Sequence, residues 1–484
     1  MKRREALQHL GWGLSGSIFM PSLIQGCGPK DPGPELNYSG TVAIIGAGAA
    51  GLYVADILHS KGVKVQIFEA RDQIGGRIKS LRNQSETKYP NAAMLSSDFP
   101  LELGAQTVIG SDSIFGKIFQ AYNLAVAEYP VTANSYVLSN VPKAGSDWGS
   151  DADYVAAKNF IANLKNNAGS SQTVQQAIAT AGINARAYGM LNGAIGNFYG
   201  GDNESMGIGA IADGLKLNPT DGKIIGLVSN PMQDTLISRF SAVQEFVQLN
   251  TPIASINYSA VPIVLTAKDG TTYQADKVVV TVPVSILKSN GISFSPGLPS
   301  SINTALSRIG MGSTMRMLVE FKKNFWGDTT SFIQGSTNVP EYFSAGVGRG
   351  QFNRTMSITV NGAKAVQYAN MEDQAALDAV LADVDLLYAG QGTQFIRYDV
   401  NDPTKRLFIR ENWSKADYIL GGYSYPLAGA KTDDRKAIGQ PQNDKLYFAG
   451  EATDVSGQAG MVNGALASAE RAAQEVVESI KKGV

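Results

Sequence analysis

Cysteine and histidine are nearly absent from this chain, and their scarcity excludes several classes of chemistry. The 484 residues include one cysteine, Cys27, and two histidines, His9 and His59. A single cysteine cannot form a disulfide within the chain, and so few Cys and His residues cannot assemble a zinc site of these ligands. A Ser-His-Asp or Cys-His catalytic unit would also lack its base, since His59 falls on the surface of a predicted helix.

Charge is sparse and balanced along the chain, which disfavours a nucleic-acid partner. Lys and Arg number 41 against 42 Asp and Glu, and charged residues make up 17% of the sequence. Beyond residue 27 the longest apolar run, around KVVVTVPVSIL, is far shorter than the roughly 20 residues of a membrane span. A chain of 484 residues exceeds the size of most single hydrophobic cores, so two domains are expected.

The first 27 residues have the composition of an export leader. A basic start is followed by a moderately apolar middle rich in Gly and Ser, and then by Cys27. Arg3-Arg4 resembles a twin-arginine signal, and residues 24–27, Ile-Gln-Gly-Cys, resemble a bacterial lipobox, whose cysteine is lipidated. We therefore expect residues 1–27 to be a signal peptide and residues 28–39 a tether, in an exported periplasmic or cell-surface lipoprotein of a bacterium. The alternative is an uncleaved or disordered leader.

Residues 41–69 have the pattern of a dinucleotide-binding strand, helix and strand. A short apolar strand leads into Gly46, Gly48 and Gly51, which match GxGxxG, and a second strand ends in Glu69. The first glycine permits a tight turn, the second lets the backbone approach a pyrophosphate, and the third packs helix against strand. We expect the phosphates to bind N–H groups at the helix N-terminus, and Glu69 to accept hydrogen bonds from a ribose.

The next stretch indicates the dinucleotide through a resemblance. ARDQIGGRI, residues 70–78, resembles the RxxxGGR signature of the flavin-containing amine oxidase family, which includes monoamine, polyamine and L-amino-acid oxidases. Arg71, Gly75, Gly76 and Arg77 match it residue by residue. In that family the loop continues along the FAD phosphates and ribityl chain, so the resemblance implies FAD as the cofactor.

Further stretches extend this resemblance almost to the end of the chain. LELGAQ at 101–106 resembles the segment that passes the flavin ring, and residues 249–256 and 273–283 resemble strands that return to the nucleotide domain. Residues 445–453 and 460–473 resemble the closing strand and helix, whose N-terminus would stabilise an anionic reduced flavin. Besides the two loops above, the resemblance implies FAD contacts at Ala49, Ala50, Gly104, Ala105, Ile253, Gly450, Glu451, Met461 and Val462.

The resemblance also implies the fold class and the order of the domains. The fold is α/β, with a Rossmann-like FAD-binding domain interleaved with a mixed α+β substrate-binding domain. The FAD-binding domain would comprise residues 40–105, 240–295 and 412–484, and the substrate domain residues 106–239 and 296–411. Helical patterns such as DYVAAKNFIANLKNN, NARAYGMLNGAIGNF and QAALDAVLADVDLLYAG fall in the substrate segments.

Arg316 stands at an informative position in GSTMRMLVEFKKNFW, residues 312–326. Taken alone, the alternation of this stretch is typical of an edge or surface strand. The stretch resembles a family strand whose lysine holds a water against flavin N5, and Arg316 replaces that lysine. The exchange is not conservative, because arginine is planar, longer and permanently charged. Three roles stay open: holding the water, clamping a substrate carboxylate, or marking a site that has lost oxidase chemistry.

The family's other substrate-binding positions also depart from its usual pattern. Many members sandwich the amine between two aromatic side chains, whose places are taken here by Ser424 and Met461, with Tyr423 beside them. Some members attach the flavin through a cysteine at the position of Tyr423, so FAD is expected to be non-covalent. The stretch after the GA of LELGAQ contains Thr107 and lacks the arginine of L-amino-acid oxidases. We expect Thr107, Tyr423, Ser424 and Met461 to line the substrate pocket, with Arg316 as the catalytic residue.

The activity that the resemblance implies is FAD-dependent oxidation of a small-molecule amine. The amine would transfer a hydride to flavin N5, the imine would be hydrolysed, and O2, giving H2O2, or a periplasmic electron acceptor would reoxidise the flavin. No metal and no nucleic acid are expected to take part. Three alternatives stay open: an L-amino-acid oxidase with Arg316 as carboxylate clamp, a flavin desaturase acting on a C–C bond, and a non-catalytic FAD-binding protein.

Overall fold

The computed structural model describes residues 35–81, 100–349, 353–399 and 401–483. The predicted signal peptide, residues 1–27, and most of the predicted tether lie outside these residues. Leu36 and Tyr38, at the end of that tether, are partly buried against the core, and the Leu36 N–H donates to the Lys61 carbonyl over 2.9 Å. Residues 35–39 therefore belong to the folded domain, because two apolar side chains there find an apolar surface.

The described residues alternate between strands and helices along most of their length. The strands are β1 Thr41–Ile45, β2 Lys64–Phe68, β3 Val108–Ile109, β4 Val126–Glu128, β5 Ser135–Leu138, β6 Val141–Ala144, β7 Ile224–Leu227, β8 Val247–Gln248, β9 Ile253–Asn257, β10 Ile263–Ala267, β11 Thr272–Ala275, β12 Lys277–Val280, β13 Ser293–Ser295, β14 Ile309–Met311, β15 Thr314–Glu320, β16 Phe332–Gln334, β17 Glu341–Ser344, β18 Thr355–Asn361, β19 Phe408–Asn412, β20 Ser424–Pro426 and β21 Leu446–Phe448.

The helices between them range from single turns to a twenty-residue closing helix. The α-helices are α1 Ala49–His59, α2 Ile114–Ala121, α3 Ala152–Ala162, α4 Val174–Thr180, α5 Tyr188–Leu191, α6 Ile208–Leu217, α7 Met232–Arg239, α8 Val284–Lys288, α9 Ser300–Arg308, α10 Gly362–Ala369, α11 Asp373–Leu387, α12 Gln391–Phe395, α13 Thr432–Ile438 and α14 Val462–Lys481. A π-helix covers Asn192–Asn197, and short 3₁₀ helices cover Val131–Ala133, Gly145–Trp148, Leu164–Asn167, Ala185–Ala187, Ser241–Phe246, Trp413–Lys415 and Glu451–Thr453.

A five-stranded parallel sheet, in the order β21-β12-β1-β2-β8, forms the nucleotide-binding half of the fold. Its strands come from all three stretches that the sequence assigned to the FAD-binding domain. Val42 and Ile44 of β1 pack under α1 and α14, whereas Ala43 and Ile45 pack against the antiparallel strands β9 and β10. Because both faces are covered, the central strands are almost continuously apolar.

A seven-stranded sheet, in the order β19-β15-β18-β17-β16-β5-β6, is the largest sheet in the described residues; three smaller sheets join β11-β10-β9-β13, β14-β20 and β3-β7-β4. The strand β15 lies between β18 and β19, and all seven of its residues are buried. Met315, Met317 and Val319 pack on α11, while the opposite face carries Arg316 and Leu318. An edge or surface strand, the structure that alternation alone would indicate, is therefore wrong for β15, because a second layer covers its polar face.

The helical patterns of the sequence are confirmed in two places and modified in a third. DYVAAKNFIANLKNN forms all of α3 but its first residue, and QAALDAVLADVDLLYAG forms all of α11 but its first residue. NARAYGMLNGAIGNF is broken into a 3₁₀ turn, α5 and the π-helix Asn192–Asn197. In the described residues no helix is long and apolar enough to cross a membrane.

Candidate active site

A cavity of about 710 Å³ lies between the five-stranded and the seven-stranded sheet, at the carboxyl ends of the parallel strands. Ile45, Phe68, Thr281 and Gly450, which end or closely follow β1, β2, β12 and β21, all line it. Ligands of open α/β sheets bind at this edge, because the loops there present helix N-termini and backbone N–H groups. The opposite wall of the cavity belongs to the seven-stranded sheet.

The glycine turn after β1 allows backbone segments to approach more closely than side chains would permit. Gly46 has a φ of 110°, and a Cβ on Gly51 would lie 1.9 Å from the Gly46 carbonyl oxygen. A Cβ on Gly48 would meet only the Cα of Gly76, at 3.8 Å, and would otherwise point into open space. Gly46, Gly48, Ala49 and Ala50 line the cavity, whereas Gly51 supports the turn from behind and is not among the lining residues.

The second glycine loop lies directly against the first. Gly75 and Gly76 have φ values of 122° and 60°, and the Gly75 N–H donates to the Ala47 carbonyl over 3.0 Å. Arg71 also lines the cavity, and its Nη1 donates to the Gly76 carbonyl over 3.3 Å. The two motifs of the sequence thus form one continuous backbone surface.

Two helix N-termini face this surface without side-chain caps. Gly48 precedes α1 and Met461 precedes α14, and neither helix has an acidic residue in its first turn. Met461 and Val462 line the cavity, as do Gly48 and Ala49. The first-turn N–H groups of both helices are therefore available to an anionic ligand.

Glu69 presents a buried carboxylate at the end of β2. It is 6% exposed and lines the cavity. Burial raises its pKa, and the opposing effect comes from the N–H groups of Ala47 and Arg71, which donate to its two oxygens over 2.8 and 2.9 Å. A carboxylate offers about four acceptor sites, so both oxygens keep capacity for ribose hydroxyls.

Glu451 connects three segments that are distant in the sequence. Its carboxylate accepts from Arg77 Nη1 over 2.8 Å, from the Gly460 N–H over 2.9 Å and from the Ser424 hydroxyl over 2.6 Å. Burial alone would raise its pKa, but the charges of Arg77 and Arg435 together with these hydrogen bonds hold it below its usual value. Glu451 therefore stays ionised and fixes the second glycine loop against the loop before α14.

Arg316 projects from β15 into the cavity and is 8% exposed. Its Nη1 donates to Gln106 Oε1 and, over 3.2 Å, to the Ser357 hydroxyl, which itself donates to Gln106 Oε1 over 2.8 Å. Its Nε is buried without a hydrogen-bond partner among the described residues. Burial lowers the pKa of this arginine, and the nearby acidic groups Tyr423, Glu341 and Glu102 oppose that effect. The guanidinium is therefore held in place through one nitrogen only.

Glu341, which the sequence analysis did not identify, lies on the same wall. It is 9% exposed, lines the cavity, and accepts one hydrogen bond from Gln334 Nε2 over 2.9 Å. Burial raises its pKa, opposed by the Gln334 hydrogen bond and the charge of Arg316. The one indication of Glu341 in the sequence is an acidic residue inside a strand that is buried. Its position in the cavity wall depends on the pairing of β17 with β18, which hydrophobic periodicity does not reveal.

Other polar residues of this wall were also missed, and they share one property. Each lines the cavity and has a buried polar atom without a hydrogen-bond partner in the described part of the chain. They are Asn134 at Oδ1, Asn197 at Nδ2 and Thr359 at Oγ1. Buried polar atoms are normally paired, so this wall is suited to a polar ligand.

The sequence model of a family described as flavin containing amine oxidoreductase matches residues 49–477. The chain belongs to this family. Its fold agrees: a putrescine oxidase bound to putrescine superposes with a TM-score of 0.74 at 17% identity, covering 91% of this chain and 99% of that one. Cyclohexylamine oxidase from Brevibacterium oxydans IH-35A gives a TM-score of 0.72 at 16% identity, with the same coverage.

Relatives of this amine oxidoreductase include a polyamine oxidase and a histone demethylase. Polyamine oxidase 4 of Oryza sativa subsp. japonica is 23% identical over 504 residues, which cover 97% of this chain and 94% of the relative. Lysine-specific histone demethylase 2 of Homo sapiens is 24% identical over 445 residues, covering 87% of this chain. The match spans 51% of that demethylase, so the chain corresponds to about half of its length.

FAD is the cofactor of this family, and the cavity of this amine oxidoreductase fits it. Uncapped N-termini of α1 and α14 suit the pyrophosphate and the flavin pyrimidine, and the space above Gly48 admits a ligand that a Cβ would obstruct. Glu69 would hold the ribose, and the residues around Gly75, Gly104, Ile253 and Gly450, all of which line the cavity, would hold the remainder.

The predicted substrate positions of this amine oxidoreductase divide into two groups. Thr107, Tyr423 and Met461 line the cavity. The Tyr423 hydroxyl donates to the Asn197 carbonyl over 2.9 Å, which fixes its ring in the wall. Ser424 does not line the cavity: it is 3% exposed, and its hydroxyl donates to Glu451 and accepts from Arg435. The expected lining role of Ser424 is replaced by a structural one, because its side chain points into the Glu451 cluster.

Proposed function

We propose that this amine oxidoreductase catalyses the oxidative deamination of a small-molecule amine. FAD, when bound, accepts the two electrons and the hydrogen that leave the amine carbon. The amine loses a second hydrogen from nitrogen, and water then converts the imine to a carbonyl compound and ammonia. We propose O2, reduced to H2O2, as the acceptor that regenerates the flavin. The observation that carries this proposal is one cavity with a nucleotide-binding surface on one side and charged side chains on the other.

Arg316 prepares the amine for this reaction through its charge. An amine can lose a hydride only when its nitrogen is unprotonated and has a lone pair to offer. A fixed cation in a buried cavity disfavours a second positive charge nearby, so Arg316 lowers the pKa of an amine bound beside it. The hydroxyl of Tyr423, held by the Asn197 carbonyl and by Asn361 Nδ2, keeps the adjoining wall rigid. Burial of the site excludes most water from the reacting carbon.

A second candidate function is the oxidation of an amino acid, with Arg316 as carboxylate clamp. The specific observation in its favour is that both hydrogen bonds of the Arg316 guanidinium leave from Nη1, which leaves Nη2 without a partner in the described part of the chain and open to a ligand carboxylate. The arginine usual in L-amino-acid oxidases, after the GA of LELGAQ, is replaced here by Gln106 and Thr107. Arg316, on β15, donates a hydrogen bond to Gln106 and so would supply the positive charge that an arginine near Gln106 provides in L-amino-acid oxidases.

The test mixes the purified full-length holoprotein, without oxygen, with separate amines and L-amino acids. Bleaching of the flavin absorbance by any of them, followed by recovery and H2O2 formation on admission of air, is the expected result. If dithionite bleaches the flavin and no amine does, the proposal is wrong, and a desaturase or a non-catalytic FAD-binding protein takes its place. If bleaching occurs and air does not restore the colour, the electron acceptor is a carrier other than O2.

We also propose that residues 1–27 direct export and that Cys27 is lipidated. The supports are the twin-arginine and lipobox resemblances and the position of the one cysteine. Labelled palmitate supplied to an expressing bacterium should enter the full-length protein and not its Cys27→Ser variant. Equal labelling of both proteins, or labelling of neither, would refute the lipid anchor.

A further inference from the structure

Two opposite charges, those of Arg316 and Glu341, are buried in the far wall of the cavity; each acts on the other electrostatically, but neither forms an ion pair with a described residue. In the described residues Arg316 forms hydrogen bonds only with the neutral groups of Gln106 and Ser357, and Glu341 only with the amide of Gln334. A buried charge without an opposite partner is costly, and such groups are usually paired or bind an ionic ligand. The ligand of this cavity is therefore expected to supply one negative and one positive group.

Building on the proposed function, we propose that the substrate is a diamino carboxylate. Its carboxylate binds Arg316, one amine binds Glu341 as an ammonium group, and the other amine is oxidised. The substrate class is thus narrower than amines in general, and Glu341 is a second specificity residue beside Arg316.

One nitrogen of Arg316 is left for the carboxylate. Both hydrogen bonds of its guanidinium leave from Nη1, and Nε is fully buried with no partner among the described residues. Nη2 makes no hydrogen bond to a described residue and is not among the fully buried atoms, so a substrate carboxylate binds it with a charge-assisted hydrogen bond. Gln106 and Ser357 hold Nη1 and so fix the direction of the guanidinium.

The sheet register fixes how far Glu341 lies from Arg316. Arg316 pairs with Thr359 of β18, and Thr359 pairs with Glu341 of β17. Directly paired residues share one face of a sheet, and adjacent strands are about 4.8 Å apart, so the two backbones are separated by about 10 Å. Long side chains on both backbones leave a shorter gap, which a small molecule spans. Thr359, which also lines the cavity, lies between them.

The need for two amines follows from the opposite demands of binding and oxidation. An amine held by a buried carboxylate is stabilised in its protonated form. An amine that gives up a hydride must be unprotonated. One nitrogen cannot meet both demands in the same complex, so the group on Glu341 and the reacting group are different amines.

The test deletes each charge from the ligand separately. L-Lysine carries all three groups, 1,5-diaminopentane lacks the carboxylate, L-norleucine and 6-aminohexanoate each lack one amine, and pentylamine lacks both extra groups. L-Ornithine tests a shorter spacing. The rate of anaerobic flavin bleaching by each compound gives its kcat/KM with the full-length holoprotein. Equilibrium binding is measured separately from the change that the non-reducing compounds cause in the flavin spectrum.

The expected result is that L-lysine or L-ornithine exceeds every compound lacking one charge by about 10- to 100-fold, the range for a charge-assisted hydrogen bond. Glu341→Gln should abolish the advantage of the second amine and leave the advantage of the carboxylate. Arg316→Met should abolish the advantage of the carboxylate and leave the advantage of the second amine. Glu128→Gln, a change in an exposed ion pair with Lys223, serves as the control and should alter neither ratio.

Two results would overturn the inference, and they differ in what they say about the proposed function. If 1,5-diaminopentane bleaches the flavin as well as L-lysine and L-ornithine do, the carboxylate is not bound, and if pentylamine does so, neither charged anchor is used; in both cases the inference falls and amine oxidation stands. If no amine of this or the wider panel bleaches the flavin while dithionite does, both proposals fall. Where a variant fails to hold FAD, the comparison of compounds on the unmodified protein still decides the question.

Discussion

Arg316 and Glu341 stand in one cross-strand row of the seven-stranded sheet, on either side of Thr359, and both side chains reach the same cavity. The row places a buried cation and a buried anion opposite the loops that bind the dinucleotide. In this arrangement the seven-stranded sheet determines which charged groups the substrate must carry. The nucleotide-binding half determines the cofactor with which the substrate reacts.

Gln106→Glu would give Arg316 a permanent carboxylate partner in place of a neutral amide. Gln106 Oε1 already accepts from Arg316 Nη1, so the new charge would compete with a substrate carboxylate. We expect the KM of carboxylate-bearing amines to rise by roughly tenfold or more, with no loss of thermal stability. The measurement is steady-state kinetics with a melting curve, and Gln106→Met serves as the uncharged control. An unchanged KM in the Glu variant would mean that Arg316 does not bind a carboxylate.

Gly48→Ala and Gly51→Ala should have separate effects, although the two glycines belong to one motif. A Cβ on Gly48, whose backbone is extended at φ −82°, meets only Gly76 Cα at 3.8 Å, and it would occupy space needed by FAD. A Cβ on Gly51 would lie 1.9 Å from the Gly46 carbonyl oxygen. Gly48→Ala should therefore weaken FAD binding about tenfold or more while the apoprotein melts as before, and Gly51→Ala should destabilise the apoprotein by roughly 3 kcal/mol. Titration with FAD and melting of both apoproteins measure this, and equal destabilisation by the two changes would contradict it.

Glu451→Gln should strongly destabilise the protein. Removing this buried charge leaves Arg77 and Arg435 without their carboxylate, and breaking a buried pair costs about 3–5 kcal/mol. Glu128→Gln, in a half-exposed pair with Lys223, should cost less than about 1 kcal/mol.

Because the pKa of Glu451 is lowered on folding, its stabilisation is present above about pH 4.5 and is lost as the pH falls through the folded value. Urea unfolding at neutral and acidic pH should show the difference between wild type and Glu451→Gln shrinking in acid; a constant difference would argue against a charge effect.

Glu102 should make the protein less stable as the pH rises towards neutrality. Burial raises its pKa from 4.5 to about 7, against the opposing hydrogen bonds of the Met232 N–H and Ser80. In that pH window the folded state binds a proton that the unfolded state has lost, so the free energy of unfolding falls by up to about 3 kcal/mol. Glu102→Gln should flatten this part of the pH profile in urea unfolding. If wild type and variant lose stability in parallel between about pH 5 and about pH 8, the carboxyl does not titrate as described.

Much of the nucleotide-binding half could be predicted from sequence because its motifs are local. The turn at Gly46, the helix after Gly48 and the acid at Glu69 lie within thirty residues, and each glycine has a steric reason visible in the pattern. Ser424 shows the limit of that approach. Its place in the motif indicated the pocket, but its side chain turns to Glu451, a partner 27 residues away that no local pattern reveals.

The sequence by itself determined the dinucleotide-binding strand, turn and helix, because glycine turns, apolar strands and helix N-termini are encoded by neighbouring residues, and its resemblance to a family signature at residues 70–78 indicated FAD and the amine oxidoreductase family. Only the tertiary structure decided the charge pattern of the substrate wall. Arg316 lies 25 residues from Glu341 and 210 from Gln106; the register of β15, β18 and β17 places it in one row with Glu341, and a direct side-chain hydrogen bond joins it to Gln106. Strand pairing of this kind depends on the packing of the whole sheet, which period-two alternation cannot specify.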